Sequence, residues 1–74
     1  MIIDEFKKNI APYMRKGWVA MDKNGKWFYY TEKPICRSLD GHWVVKAYNA
    51  LSMLQFSLEP AKDWSKSLMR CGNE

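Results

Sequence analysis

The pattern of apolar and polar positions between residues 17 and 34 predicts one β-hairpin. Large apolar side chains occupy both arms, and the dipeptide Asn24-Gly25 between them is a strong turn signal. Pro34 ends the second arm because proline cannot donate a ladder hydrogen bond. The hairpin is therefore expected to be a twisted antiparallel ribbon at the centre of a small protein.

Charge predicts the register of this hairpin. A two-residue loop would place Lys23 directly opposite Lys26, and like charges in that position are unfavourable. A three-residue loop that begins at Lys23 puts Gly25 in the left-handed position and sets Asp22 against Lys26. We therefore expect the three-residue loop.

This register gives the hairpin two apolar faces. One face carries Val19, Met21, Trp27 and Tyr29, and the other carries Trp18, Ala20, Phe28 and Tyr30. Aliphatic side chains favour close packing, so we expect the first face to be core and the three rings of the second to meet a partner or a second copy of the chain. On this hypothesis, truncating Tyr30 weakens association and leaves folding nearly intact.

The flanking segments predict helices and further strands. Apolar residues recur at helical spacing at the N-terminus, at Ile3, Phe6, Ile10, Tyr13 and Met14. Pro12 should kink or break this helix, and Gly17 should end it. A second helix is expected from Pro60, with Ala61, Trp64 and Leu68 along one face and Gly72 at its end.

The fold class expected from these elements is α+β, in a single domain over residues 1–74. The sheet is a three-stranded antiparallel β-meander between an N-terminal and a C-terminal helix, with strands at about 18–22, 26–32 and 42–47. The turn residues at 38–41 precede the third strand. Residues 53–58 suit either a fourth strand or an extended segment.

Aromatic content is high for so short a chain. The 74 residues include four Trp, four Tyr and three Phe. Each ring buries roughly 150–250 Å² when it is fully enclosed. We expect this set to exceed what one small core can hold, so that some rings face a partner.

The net charge of +4 arises from twelve Lys and Arg against eight Asp and Glu, spread along the chain without a long run. Such a dispersed excess is typical of a soluble protein and permits an acidic partner. Lysines interleaved with rings between Lys23 and Tyr30 also suit a nucleic-acid platform, which we keep as an alternative.

The residues of catalytic and metal chemistry form no recognisable constellation. His42 is the single histidine, and Cys36 and Cys71 lack metal-ligand spacing. The carboxylates sit where helix starts and turns explain them, and the four glycines are isolated. We expect no enzyme, cofactor or metal. Met1-Ile2-Ile3 is followed at once by Asp4 and Glu5, so we expect no signal peptide, no membrane span, free thiols and a cytoplasmic location.

One resemblance bears on context. The order of Asp22-Lys23-Asn24-Gly25-Lys26-Trp27, Lys33-Pro34, Trp43 and Asp63-Trp64-Ser65-Lys66-Ser67-Leu68 resembles that of small proteins of bacteriophages and prophages. These share a D-x-x-G-x-W hairpin and a closing D-W-x-x-S-L segment. The resemblance spans about residues 18–68 and implies an accessory protein that binds a host factor, for example a defence nuclease. It implies no catalytic or binding residue.

These observations favour a non-enzymatic protein-binding module, an inhibitor or modulator of a host protein. The predicted partner-binding residues are Trp18, Phe28, Tyr30 and Lys26. A small basic nucleic-acid-binding protein and a self-associating structural protein, such as a homodimer, are the two alternatives.

Overall fold

The computed structural model describes residues 1–45 and 54–72, and it is an α+β fold. One short α-helix, α1, is followed by a 3-10 helix, and a second 3-10 helix precedes the last strand. The elements are α1 (Ile3–Asn9), the first 3-10 helix (Ala11–Tyr13), β1 (Gly17–Met21), β2 (Trp27–Tyr30), β3 (Ile35–Arg37), β4 (His42–Val44), β5 (Leu54–Phe56), the second 3-10 helix (Trp64–Lys66) and β6 (Met69–Cys71).

The strands of the described residues form two antiparallel sheets. The larger sheet has four strands in the order β5-β2-β1-β6, so the hairpin β1–β2 is central and the later strands flank it. The smaller sheet is the hairpin β3–β4. Of the two alternatives for residues 53–58, the structure has the strand, β5, at Leu54–Phe56, and residue 53 lies outside the described residues.

The predicted register of the central hairpin is confirmed. Trp18 pairs with Tyr30 and Met21 with Trp27, which sets Asp22 opposite Lys26. The Asp22 backbone N–H donates to the Lys26 carbonyl at 2.9 Å, and the loop closes through Gly25 N–H to the Asp22 carbonyl. Gly25 has a φ of 88°, the left-handed conformation that this loop requires.

The predicted pairing of the third strand with the central hairpin is wrong. His42–Val44 is a strand, and it pairs with Ile35–Arg37, which the sequence pattern did not predict as a strand. A four-residue turn at 38–41 joins the two, so this local hairpin forms in place of a longer connection back to the central sheet. The rest of the predicted strand, residues 46–47, lies outside the described residues.

The predicted C-terminal helix from Pro60 is also wrong. Asp63 is extended, and its side chain accepts from the Ser65 backbone N–H at 3.0 Å and the Ser65 hydroxyl at 2.6 Å. Short polar side chains that bind nearby backbone groups compete with helix formation. One 3-10 turn follows, and the chain then joins the edge of the sheet through Cys71 opposite Gly17.

The N-terminal helix is confirmed and its expected break is observed, but the prediction that Gly17 ends it is wrong, because the 3-10 helix ends at Tyr13 and Gly17 begins β1. α1 ends at Asn9, and Pro12 lies in the first turn of the following 3-10 helix. Proline is tolerated there because the first N–H groups of a helix have no intrahelical acceptor.

Both faces of the central sheet are covered by the chain itself. The helix-side core contains Phe6, Ala11, Val19, Met21, Trp27, Tyr29 and Cys71. The hairpin-side core contains Ala20, Tyr30 and Trp43, with half-buried residues of the C-terminal arm packed against it. The assignment of Val19, Met21, Trp27 and Tyr29 to the core is confirmed.

The expectation that Tyr30 lies on an open partner face is wrong. Its side chain is 0% exposed, and its hydroxyl donates to the Trp43 carbonyl at 3.5 Å. The hairpin β3–β4 folds over this face, which the central hairpin alone leaves uncovered.

Truncation to alanine should lower the free energy of unfolding more at Tyr30 than at its cross-strand neighbour Trp18. We expect Tyr30→Ala to lower the free energy of unfolding by about 3–5 kcal/mol because it leaves a large cavity. Trp18→Ala should cost substantially less because Trp18 is only half-buried. Urea denaturation of the two variants measures both values, and equal losses would contradict the burial of Tyr30 by β3–β4.

Candidate functional site

The loops of the two hairpins lie side by side and are joined through a buried carboxylate. Asp22 is 4% exposed, and its side chain accepts from the Trp43 backbone N–H at 2.9 Å. Its second oxygen is 3.1 Å from His42 Nδ1, which fixes the orientation of the imidazole ring. The start of one loop is thereby bound to the end of the other.

Backbone contacts complete this joint. The Lys23 N–H donates to the Gly41 carbonyl at 2.9 Å. Gly41 has a φ of 74°, and a Cβ there would lie 3.1 Å from the Lys23 Cβ. A glycine is therefore required both by the turn conformation and by the close approach of the other loop. We call residues 22–26 together with 37–42 the loop pair.

The base of the loop pair is anchored by side chains that bind backbone groups. The Trp43 indole N–H donates to the Met21 carbonyl at 3.0 Å and to the Trp64 carbonyl at 3.2 Å. Ser67 is buried, and its hydroxyl oxygen accepts from the Met21 N–H at 2.8 Å. Strand β1 and the second 3-10 helix thus hold the loop pair in a single arrangement.

The outer surface of the loop pair combines one large apolar side chain with several cations. Leu39, in the turn between β3 and β4, is 90% exposed. Lys23 and Lys26 of the first loop are exposed, as is Arg37, which forms an ion pair of 3.0 Å with Asp40. This arrangement can insert an apolar side chain into a pocket whose rim is acidic.

Of the four predicted partner-binding residues, Trp18, Phe28 and Lys26 keep exposed surface and Tyr30 has none. Lys26 belongs to the loop pair, whereas Trp18 lies at the far end of β1, with the Arg70 guanidinium 5.9 Å from its ring centroid. Phe28 is half-buried against the hairpin-side core, and Tyr30 lies inside it. A partner-binding role for Trp18, Phe28 and Lys26 stays a prediction.

Most of the described rings are used by the two cores. Phe6, Trp27, Tyr29, Tyr30 and Trp43 are buried, and Trp18, Phe28 and Trp64 are half-buried. Among the rings whose burial the structure describes, which excludes Phe56, Tyr13 is the one strongly exposed ring, at 82%. The expected exposed surplus of aromatic rings is therefore largely absent from this part of the chain.

Leu39 and Asp22 are the residues that sequence reasoning missed as parts of a site. Leu39 stands within the turn sequence Ser38-Leu39-Asp40-Gly41, where a large apolar residue has no core to enter. A large apolar residue in a turn sequence was therefore the signal by which Leu39 could have been found. The burial of Asp22 could not be found in this way because it depends on the contact between two loops.

Burial raises the pKa of two acidic groups of the cores. It raises the pKa of the Cys71 thiol to about 11 and that of the Tyr30 phenol to about 12. Burial also raises the pKa of Tyr29, whose hydroxyl donates to the carbonyls of Arg15 and Lys16. Cys71 and the half-buried Cys36 are both free thiols.

Residues 1–45 and 54–72 contain no group of three or more His, Cys, Asp or Glu side chains that could hold a metal ion. In the same residues no helix has the length and apolar character needed to cross a membrane. Comparison of the chain with protein-family models, curated proteins and solved structures finds no match.

Removing the Asp22 carboxylate should loosen the joint between the loops. Asp22→Ala leaves the buried Trp43 N–H without an acceptor, so we expect a loss of about 1–3 kcal/mol of unfolding free energy. Asp22→Asn retains one oxygen acceptor and should lose less. Asp40→Ala removes an exposed ion pair and should change stability by about 0–1 kcal/mol. Urea denaturation at neutral pH compares the three variants, and a similar loss in all of them would argue against the joint.

Stability should fall as the solution becomes alkaline. Cys71 and Tyr30 have pKa values raised by burial, from 9.0 to about 11 and from 10.0 to about 12. The unfolded chain releases these protons first, so their contribution is complete below pH 9 and is lost between about pH 9 and pH 12. The urea midpoint of unfolding should decline across this range, and Cys71→Ala should reduce the decline of the midpoint below pH 11. A constant midpoint from pH 8 to pH 11 would contradict the burial of the thiol.

Proposed function

We propose that this protein is a non-enzymatic protein-binding module that contacts its partner through the loop pair. The observation that carries the proposal is Leu39, a large apolar side chain that is 90% exposed on a turn fixed by the neighbouring loop. Exposed apolar side chains on pre-organised loops are typical anchors of protein interfaces, because little conformational entropy is lost when they bind.

The charges around Leu39 suggest the character of the partner. Lys23 is bonded to the turn through its backbone and Arg37 precedes it, Lys26 ends the neighbouring loop, and Asp40 offsets the charge of Arg37. Cations at the rim of an interface accelerate association with an acidic surface and select against a basic one. We therefore propose a partner with an apolar pocket and an acidic rim.

We further propose that the partner is a host protein in a bacterial cytoplasm and that binding inhibits or modulates it. The support is the resemblance of the hairpin and closing segments to those of small bacteriophage and prophage proteins. The loop pair suits an inhibitor because it projects a single anchor from a rigid base.

The nucleic-acid alternative has less support. A stacking platform needs exposed rings, and Trp27, Tyr29 and Tyr30 are buried. The cations of the loop pair remain available for phosphate contacts. An electrophoretic shift titrated with salt tests this alternative, since phosphate binding weakens steeply with salt. Light scattering tests self-association.

A differential pull-down tests the proposal. Wild type, Leu39→Asp and Tyr13→Asp are used as baits in bacterial lysate at equal concentration. Tyr13 is also strongly exposed, but it lies on the first 3-10 helix, away from the loop pair in the chain. We expect at least one protein to be captured by wild type and by Tyr13→Asp and to be lost with Leu39→Asp. With the purified partner, Leu39→Ala should weaken binding by about 2 kcal/mol or more, as measured by calorimetry.

Two results would contradict this assignment. One is equal capture by the wild-type and Leu39→Asp baits, which would move the binding surface elsewhere. The other is the loss of capture with Tyr13→Asp alone. Circular dichroism of each bait establishes that the variants are folded, as expected for substitutions at exposed positions.

A further inference from the structure

The helix-side core is not completely covered. α1 has only seven residues, and the C-terminal arm crosses the same face of the sheet from the other side. A cleft of about 210 Å³ remains between them. Its lining includes Ile3, Lys7, Trp27, Ala61, Lys66 and Met69.

The base of this cleft is apolar. Trp27 lies beneath this lining with only 1% of its surface exposed, and its indole N–H donates to the Glu59 carbonyl at 3.0 Å. Ile3, Ala61 and Met69 are half-buried beside it. These residues can receive the apolar part of a ligand.

Two lysines from different elements give the cleft its charge. Lys7 belongs to α1 and Lys66 to the second 3-10 helix, and no carboxylate side chain lines the cleft with them. Among the described residues, neither lysine forms an ion pair within 4.0 Å. The cleft therefore favours a negatively charged group next to its apolar base.

Two carboxylates of the C-terminal arm are bound to backbone groups. Glu59 accepts from the Ile3 N–H at 2.7 Å. Asp63 accepts from Ser65, and this hydrogen bond, with a smaller contribution from Lys66, lowers the pKa of Asp63. Asp63 thus attracts Lys66 without lining the cleft.

We propose that this cleft binds a small amphiphilic carboxylate, with the apolar group against Ile3, Ala61 and Met69 above Trp27 and the carboxylate between Lys7 and Lys66. The volume is below the roughly 300–1,000 Å³ of ordinary ligand pockets, so the apolar group is no larger than one large side chain. A free short-chain acid and the C-terminal residue of a peptide share this chemistry. This site is distinct from the proposed role of Leu39 and does not depend on it.

The indole N–H resonance of Trp27 gives a direct test by nuclear magnetic resonance. The protein is titrated with hexanoate and with N-acetyl-leucine, and in parallel with their neutral amides, hexanamide and N-acetyl-leucinamide. We expect the acids to shift the Trp27 resonance saturably and to bind several-fold more tightly than the amides. Tighter binding of hexanoate would indicate a free acid as the ligand, and tighter binding of N-acetyl-leucine would indicate a peptide terminus.

Neighbouring lysines provide matched controls. Lys7→Ala and Lys66→Ala should each raise the dissociation constant for the better acid by about two- to five-fold, the effect of one partly exposed charge. Lys8→Ala and Lys62→Ala remove equal charges outside the cleft lining and should leave the dissociation constant nearly unchanged. The proposal is overturned if no acid shifts Trp27 saturably, if the amides bind equally well, or if all four variants behave alike.

Discussion

The central hairpin is apolar on both faces, and the rest of the structure depends on this constraint. Val19 and Tyr29 point to one face and Ala20 and Tyr30 to the other, and all four are buried. A sheet that is apolar on both faces must be covered on both. The chain does so with α1 and the first 3-10 helix on one side and with β3–β4 on the other. Two small cores therefore replace a single larger one.

Covering the second face brings polar groups into the interior. The loop of one hairpin reaches the loop of the other, and Asp22, Trp43 and Ser67 bind the backbone groups that become buried there. Among the described residues, each buried side-chain nitrogen or oxygen has a hydrogen-bond partner. Buried polar groups without partners are costly, so these contacts favour one arrangement of the two hairpins over others.

The same constraint determines what remains for binding. The cores take most of the described rings, so the surface offers little of the aromatic platform that the composition suggested. Its distinctive features are the exposed Leu39 on the fixed loop pair and the small cleft over Trp27 with two lysines beside it. Both combine an apolar contact with positive charge. Both therefore suit acidic or anionic partners, in keeping with the net charge of +4.

The sequence by itself determined two parts of the local structure, the central hairpin and the N-terminal helix. Hydrophobic alternation, the turn residues and the Lys23–Lys26 repulsion were enough to predict the central hairpin and its register, and helical spacing with Pro12 was enough for α1 and its break. These features depend on residues close together in the chain. The fourth strand stood among the expected alternatives, and its pairing with β2 came from the structure.

Only the tertiary structure decided which surfaces stay open. The pattern around Pro60 has helical spacing. However, the hydrogen bond from the Ser65 N–H to the Asp63 side chain favours a turn, and the pairing of Cys71 with Gly17 favours an edge strand. The burial of Tyr30 and Asp22 follows from the docking of β3–β4, in which Trp43 contacts both residues across sequence separations of 13 and 21. The hydrophobic pattern indicates that a side chain is buried, but it does not indicate which distant segment buries it. Packing and the satisfaction of buried hydrogen-bonding groups determine which segment covers each face. They thereby also determine the position of the candidate site.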